Sequence, residues 1–134
     1  MTDKAHEYQC RIYYEDTDAG GIVYYANYLK FIERARTEWL REIGFQSSVS
    51  LDSGQAFVVA GLKIDYRNSA RLDDLLRIKS KIIDRSPLKI VMSQNIYKED
   101  VLLTEVEITL VMVDLNGRPV KMTPKLQERL QSYE

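Results

Sequence analysis

The chain has 134 residues, 45% of them hydrophobic, and a formal net charge of −1. That length is one ordinary domain spanning 1–134, with enough apolar side chains for a sizeable core. The near-zero charge, with both signs interspersed, excludes the electrostatic footprint of a nucleic-acid or anionic-membrane binder.

Cys10 is the single cysteine, so the chain forms no internal disulfide and points to no oxidising compartment. Residues 1–7 lack the apolar core of a signal peptide. No apolar run approaches the ~18 residues of a membrane span. The expectation is a cytoplasmic protein with no nucleic-acid partner.

Residues 8–14 alternate and are rich in β-formers, which predicts a first strand. An Asp- and Gly-containing segment follows, Glu15-Asp16-Thr17-Asp18-Ala19-Gly20-Gly21. Then Tyr28, Phe31, Ile32, Ala35, Trp39, Leu40 and Ile43 recur at three- and four-residue spacings. That predicts a long amphipathic helix, with Asn27 as N-cap or a start one turn earlier, and Gly44 just past its end. Residues 45–54 read as a loop that has room for a short helix.

Four strands are predicted next, at 56–67, 75–84, 88–97 and 103–113. In the first of these, Val58, Ala60, Leu62, Ile64 and Tyr66 share one face. Ser86-Pro87, Lys98-Glu99-Asp100 and Asn116-Gly117 read as turns, so the last two long strands form an antiparallel hairpin. Residues 124–133 predict a short helix with Thr123 as N-cap and Pro124 at its first position. The fold class is therefore α+β: a five-stranded, mostly antiparallel sheet with one long helix on a face. One helix does not cover five strands, so homo-oligomerisation is expected.

The Asp/Gly segment is the chemically informative one. It holds a carboxylate close to a helix N-terminus, where free backbone N–H groups polarise an oxygen. An acid or base beside such a site is the minimum equipment for hydrolysing an activated acyl group. From spacing alone, Asp18 serves equally well as a helix cap or in an Asx-turn. Asp16 reads as shaping the turn. Gly20 and Gly21 are first of all turn residues, and also let backbone approach a substrate with no Cβ in the way. His6 lies in a polar tail, and Cys10 reads as a buried, inert thiol. There is no Gly-x-Ser-x-Gly elbow, no Ser–His–Asp set, no phosphate loop and no dinucleotide fingerprint. One His and one Cys make a zinc site improbable.

Tyr14-x-Asp16-Thr17-Asp18-x-x-Gly21-x-Val23-Tyr24-x-x-x-Tyr28-x-x-Phe31 resembles the signature of hotdog-fold acyl-CoA thioesterases of the 4-hydroxybenzoyl-CoA thioesterase family. Glu33-Arg34-Ala35-Arg36-Thr37-Glu38 and Ala70-Arg71-Leu72-Asp73-Asp74 resemble its YbgC-like, Tol–Pal-associated subgroup. The resemblance covers most of the chain. It implies a sheet wrapped around a central helix, and a homodimer or dimer of dimers with active sites shared between protomers. It also implies an acyl-coenzyme A substrate, with acyl carrier protein as the alternative carrier, and no metal or redox cofactor. By motif position, Asp18 is the catalytic carboxylate and the backbone N–H of Tyr25 is the carbonyl-polarising donor. That subgroup usually has a histidine where this chain has Tyr25, which removes any imidazole role and changes the pocket wall.

Gly21, Tyr24 and Tyr28 are the expected backbone approach and pocket walls. Ordinary phenols, with pKa near 10, are poor acids for a thiolate leaving group. Coenzyme A carries phosphates, so cations are needed at the pocket mouth. The resemblance favours Arg85 and Lys89 over Arg67 and Arg71, because the turn at Pro87 corresponds to a nucleotide-proximal region in family members. The expected function is hydrolysis of an acyl-CoA thioester, with Asp18 as base or nucleophile. The alternative is a non-hydrolytic acyl-CoA or acyl-carrier-protein binding module in phospholipid or envelope metabolism, which would have no need of a carboxylate at the carbonyl. A hotdog dehydratase is disfavoured because its usual His is missing.

Overall fold

The computed structural model describes residues 5–45 and 54–133. The expected loop with its short helix falls mostly on 46–53, outside the described residues. The elements in chain order are β1 (His6–Arg11), α1 (Asn27–Glu42), β2 (Ala56–Tyr66), β3 (Leu75–Arg85), β4 (Lys89–Lys98), β5 (Val101–Val113) and α2 (Pro124–Leu130). Short 3₁₀ turns occupy Tyr14–Asp16 and Gln131–Tyr133. The strands form one sheet in the order β1-β3-β4-β5-β2, every pair antiparallel. β4–β5 is the expected hairpin, and β3 and β4 form a second one across the Ser86-Pro87 turn.

α1 lies across the face built by the inward residues of β3, β4 and β5. Leu76 and Ile78 from β3, Ile90, Met92 and Ile96 from β4, and Val106, Ile108 and Leu110 from β5 are buried beneath it. Phe31, Ile32, Ala35 and Trp39 of the helix have essentially no exposure. Burying each large apolar side chain stabilises the fold by about 1.5–3 kcal/mol over leaving it wet. The apolar core divides into two clusters, one under the first half of α1 and one under its second half with α2. Polar side chains also lie under the helix. Gln94, with no exposure, donates from Nε2 to the Ile32 carbonyl oxygen at 3.1 Å and to Ser80 Oγ at 2.9 Å. A buried amide is tolerated there because its hydrogen-bonding groups find partners.

The helix ends as its sequence predicts. Gly44 takes φ +92°, the Phe45 N–H donates to Leu40 O at 2.8 Å and the Gly44 N–H to Arg41 O at 3.1 Å, a Schellman arrangement. α2 opens on Thr123, whose Oγ1 accepts from the Leu126 N–H at 3.2 Å, with Pro124 in the first turn.

Three expectations are corrected. β1 covers His6–Arg11 rather than 8–14, because the chain turns into the 3₁₀ segment at Tyr14 and the Ile12 N–H pairs with Asp74 O instead. Asn27 is not the N-cap: Ala26 holds that position, and Asn27 is the first helical residue, its Nδ2 donating back to Asp16 O at 2.9 Å. β2 does not keep one apolar face from 58 to 66. Its pairing with β5 shifts register between Val59 and Gly61, leaving Ala60 as an extra residue. A bulge reverses the alternation, so Phe57 before it and Ile64 after it both reach the core. Most of β2 is exposed along its length, including Val58, Val59, Leu62 and Tyr66.

Candidate active site

The segment after β1 is a compact turn held by its own backbone. The Asp18 N–H donates to Ile22 O at 2.9 Å, and the Gly21 N–H to Asp18 O at 3.0 Å. Gly21 sits at φ +80°, where residues with a Cβ are strained. Asp18 is exposed, and its Oδ1 accepts the Gly20 N–H at 2.8 Å. This is an Asx-type turn, and it holds the carboxylate in one orientation. A Cβ at position 20 would lie 3.2 Å from that Oδ1, so the glycine leaves the carboxylate room. The other carboxylate has the structural task expected of it. Asp16 is buried, its Oδ2 accepts the Tyr13 N–H at 2.9 Å, and its carbonyl accepts the Tyr24 N–H at 3.0 Å.

Past this turn the chain bridges to the β2–β3 connection. Ile22 pairs with Arg71, and the Val23 N–H donates to Ala70 O at 2.9 Å. The helix start follows immediately. The Asn27 N–H closes a turn onto Tyr24 O at 2.8 Å. The Tyr25 N–H has no acceptor among the described residues. It is therefore a free donor at the positive end of a sixteen-residue helix.

Four tyrosines surround this donor. Tyr24 and Tyr25 are exposed, with rings 5.0 Å apart. Tyr28 is buried at 3% exposure, and its hydroxyl accepts the Ala70 N–H at 3.0 Å. It forms the floor of the site rather than an open wall. The fourth is Tyr66, at the end of β2, which sequence reasoning counted only as a strand residue. Its ring packs 5.7 Å from Tyr28 and 6.1 Å from Tyr25, and its hydroxyl donates to the Tyr25 carbonyl at 3.1 Å. Burial, then the neighbouring Tyr25 phenol, pushes the Tyr66 phenol above its ordinary value, so it stays protonated and able to donate. Nothing in the local sequence signals this partnership, which bridges forty-one positions.

Asp18, Gly21, Tyr24, Tyr25 and Tyr28 thus fall on one turn and one helix start. Arg85 and Lys89 do not join them within the chain. They sit at the β3–β4 turn, ten residues along β3 from Leu75, at the far end of the sheet. At ~3.3 Å per residue that is roughly 30 Å away. Among the described residues no three His, Cys, Asp or Glu side chains group to hold a metal ion. No helix among them is long and apolar enough to cross a membrane.

A family model described as the thioesterase-like superfamily matches residues 13–130. The chain is 42% identical over 126 residues to the acyl-CoA thioesterase YbgC of Haemophilus influenzae, covering 93% of each. It is equally identical to the acyl-CoA thioester hydrolase YbgC of Escherichia coli O6:H1, covering 93% of this chain and 91% of that one. A solved structure of a probable thioesterase from Bartonella henselae superposes with a TM-score of 0.84 at 32% identity, covering 89% of this chain and 99% of that one. The arrangement of one long helix on a five-stranded antiparallel sheet is the expected α+β hotdog layout.

Proposed function

Because the chain belongs to the thioesterase-like superfamily, we propose that it hydrolyses acyl-coenzyme A thioesters to free acid and coenzyme A. One observation carries this reading. Over 93% of its length the chain is 42% identical to proteins named acyl-CoA thioesterases, and its exposed carboxylate sits on the turn leading into a helix start that offers a free N–H.

The mechanism follows from that geometry. The thioester carbonyl accepts the Tyr25 N–H at the helix start. Asp18 attacks the carbonyl carbon, or removes a proton from a water that does. The carbonyl oxygen gains negative charge as the tetrahedral species forms, and the N–H and helix dipole stabilise it. A single donor of this kind is worth on the order of 10²–10³ in rate. The species then collapses and expels the coenzyme A thiolate. On the water route this gives the free acid directly, and Asp18 passes the proton it took to the thiolate; on the direct route it leaves an acyl–Asp18 anhydride, which a water hydrolyses to the free acid and the free carboxylate. Gly21 and Tyr24 border the entry, Tyr28 forms the floor, and Tyr66 fixes the peptide after the donor.

The phosphates need cations. A second copy supplies them if the exposed β2 edges pair antiparallel about a two-fold axis. That pairing inverts the partner, which brings its β3–β4 turn, with Arg85 and Lys89, to the end of the sheet where Asp18 lies. A homodimer with shared sites, its further pairing into a dimer of dimers, a cytoplasmic location and Tol–Pal association belong to this reading. Acyl carrier protein is the alternative carrier.

The competing reading is a non-hydrolytic acyl-CoA or acyl-carrier binder. A panel of acyl-CoAs assayed by free-thiol release separates the two. Thiol release that depends on Asp18 supports hydrolysis; tight binding with no release across the panel replaces it with the binder.

A further inference from the structure

A second polar feature lies farther along α1 and takes no part in the carbonyl chemistry. Tyr25, Leu29, Glu33, Arg36, Thr37 and Leu40 recur at three- and four-residue spacings, so they form one stripe along the helix. Tyr25 and Leu29 are exposed, and the stripe continues into a cleft of about 320 Å³ between α1 and β2. Glu33, Arg36, Thr37 and Leu40 of α1 line that cleft together with Phe57 and Val59 of β2. β2 therefore flanks the helix at both ends: Tyr66 at the helix start and Phe57 near its finish.

Arg36 is unusual for its place. It is half-buried, and it makes no ion pair among the described residues. Its one hydrogen bond runs from Nη1 to Gln94 Oε1 at 3.3 Å. Gln94 is anchored in turn on Ser80 and on the Ile32 carbonyl, so the guanidinium is held from behind by the core. Burial lowers the Arg36 pKa from its ordinary value, and the Glu33 charge opposes that shift. A partly desolvated guanidinium with free N–H groups calls for an acceptor.

We propose that Arg36, with Glu33 and Thr37, is a specificity-determining station that selects acyl groups carrying a hydroxyl near their far end. The inference rests on the thioesterase reading and deepens it. At 1.5 Å per helical residue, Arg36 lies about 16 Å from the carbonyl site at Tyr25. With C–C bonds of about 1.5 Å, that is the reach of an extended chain of roughly a dozen carbons. The guanidinium only donates hydrogen bonds, and the Glu33 carboxylate only accepts them. A hydroxyl does both, accepting from Arg36 while donating to Glu33. The two opposite charges nearly cancel at a distance, so a terminal carboxylate gains less: it is attracted by Arg36 but repelled by Glu33. A methyl terminus leaves the guanidinium without an acceptor, which is how sites built for a hydroxyl reject its absence.

The experiment compares dodecanoyl-CoA with its 12-hydroxy and 12-carboxy counterparts, in wild type, Arg36→Met and Arg36→Lys. Two readouts are taken: kcat/KM, and calorimetric binding of the matching non-hydrolysable thioether analogues. Circular dichroism and light scattering check the fold and assembly of each variant. Wild type is expected to favour the hydroxylated chain by about tenfold over the methyl-terminated one. Arg36→Met should bring that ratio to near one, with Arg36→Lys intermediate. A wild-type ratio near one overturns the station. So does an unchanged ratio in folded Arg36→Met. A loss of assembly in Arg36→Met with the ratio intact also overturns it, and assigns Arg36 to a subunit contact. If no thioester is hydrolysed but the analogues bind with the hydroxyl preference, the hydrolase reading falls and the station stands.

Discussion

The Tyr66 hydroxyl at the end of the edge strand donates to the Tyr25 carbonyl oxygen at the start of the helix, at 3.1 Å. This contact ties the edge strand to the peptide segment whose N–H we propose polarises the thioester carbonyl. Tyr66→Phe keeps the ring packing and removes only the donor. A net hydrogen bond of this sort contributes about 0.5–1.5 kcal/mol. The expected result is a few-fold fall in kcat with little change in melting temperature. A melting shift with unchanged kcat would make the contact structural only.

Asp18→Asn should keep the turn and lose the chemistry. The amide oxygen still accepts the Gly20 N–H that Asp18 Oδ1 accepts at 2.8 Å. An amide is neither base nor nucleophile, so kcat should fall by about 10²–10⁴. Near-normal turnover in the folded variant would remove Asp18 from the mechanism.

Tyr25→Phe and Tyr25→Pro separate side chain from backbone. The phenylalanine variant retains the N–H and should stay within a few-fold of wild type, while proline deletes the donor and should be severely impaired. The two are compared at matched circular dichroism. Equal inactivation would assign the role to the phenol.

The α2 end of the molecule makes a pH prediction. The Tyr133 hydroxyl donates to Glu42 Oε2 at 2.7 Å, and its ring meets Trp39 edge-on at 5.7 Å. Burial first, then the hydrogen bond and charge of Glu42, push the Tyr133 phenol up to about 12 from 10.0. A raised folded-state pKa means the folded form binds the proton more tightly. Its contribution is fully present below pH 10 and is lost as pH rises towards about 12. Urea midpoints measured from neutral pH to pH 12 should fall more steeply for wild type than for Tyr133→Phe. Parallel curves would show that the phenol carries no such linkage.

Assembly is tested on β2. Its eleven residues pair on one side only, with β5, and expose Val58, Val59 and Leu62. An edge of that length and polarity invites a second copy. Light scattering and specific activity across a dilution series should fall together. Leu62→Lys, which places a charge on the edge, should shift the midpoint of both to higher concentration. A monomer with full specific activity would sink the shared-site proposal.

Local signals made much of this protein legible in its sequence. Three- and four-residue apolar spacing marked α1, Gly44 marked its end, Thr123-Pro124 marked α2, and short polar turns marked the β3–β4 and β4–β5 hairpins. These are interactions between near neighbours, so residue type and spacing suffice to read them. The proximity of Asp18 to Tyr25 was legible for the same reason: they lie seven positions apart in the chain. The parity of β2 was not, because the bulge at Ala60 arises from its pairing with β5, some fifty residues on. Nor was the meeting of Tyr66 with Tyr25, or of Arg36 with Gln94 across fifty-eight positions. Those contacts exist only once the sheet order β1-β3-β4-β5-β2 has placed β2 at the edge and β4 beneath the helix. Strand order is set by the combined burial of all five strands against α1, a sum over distant residues that no local spacing encodes.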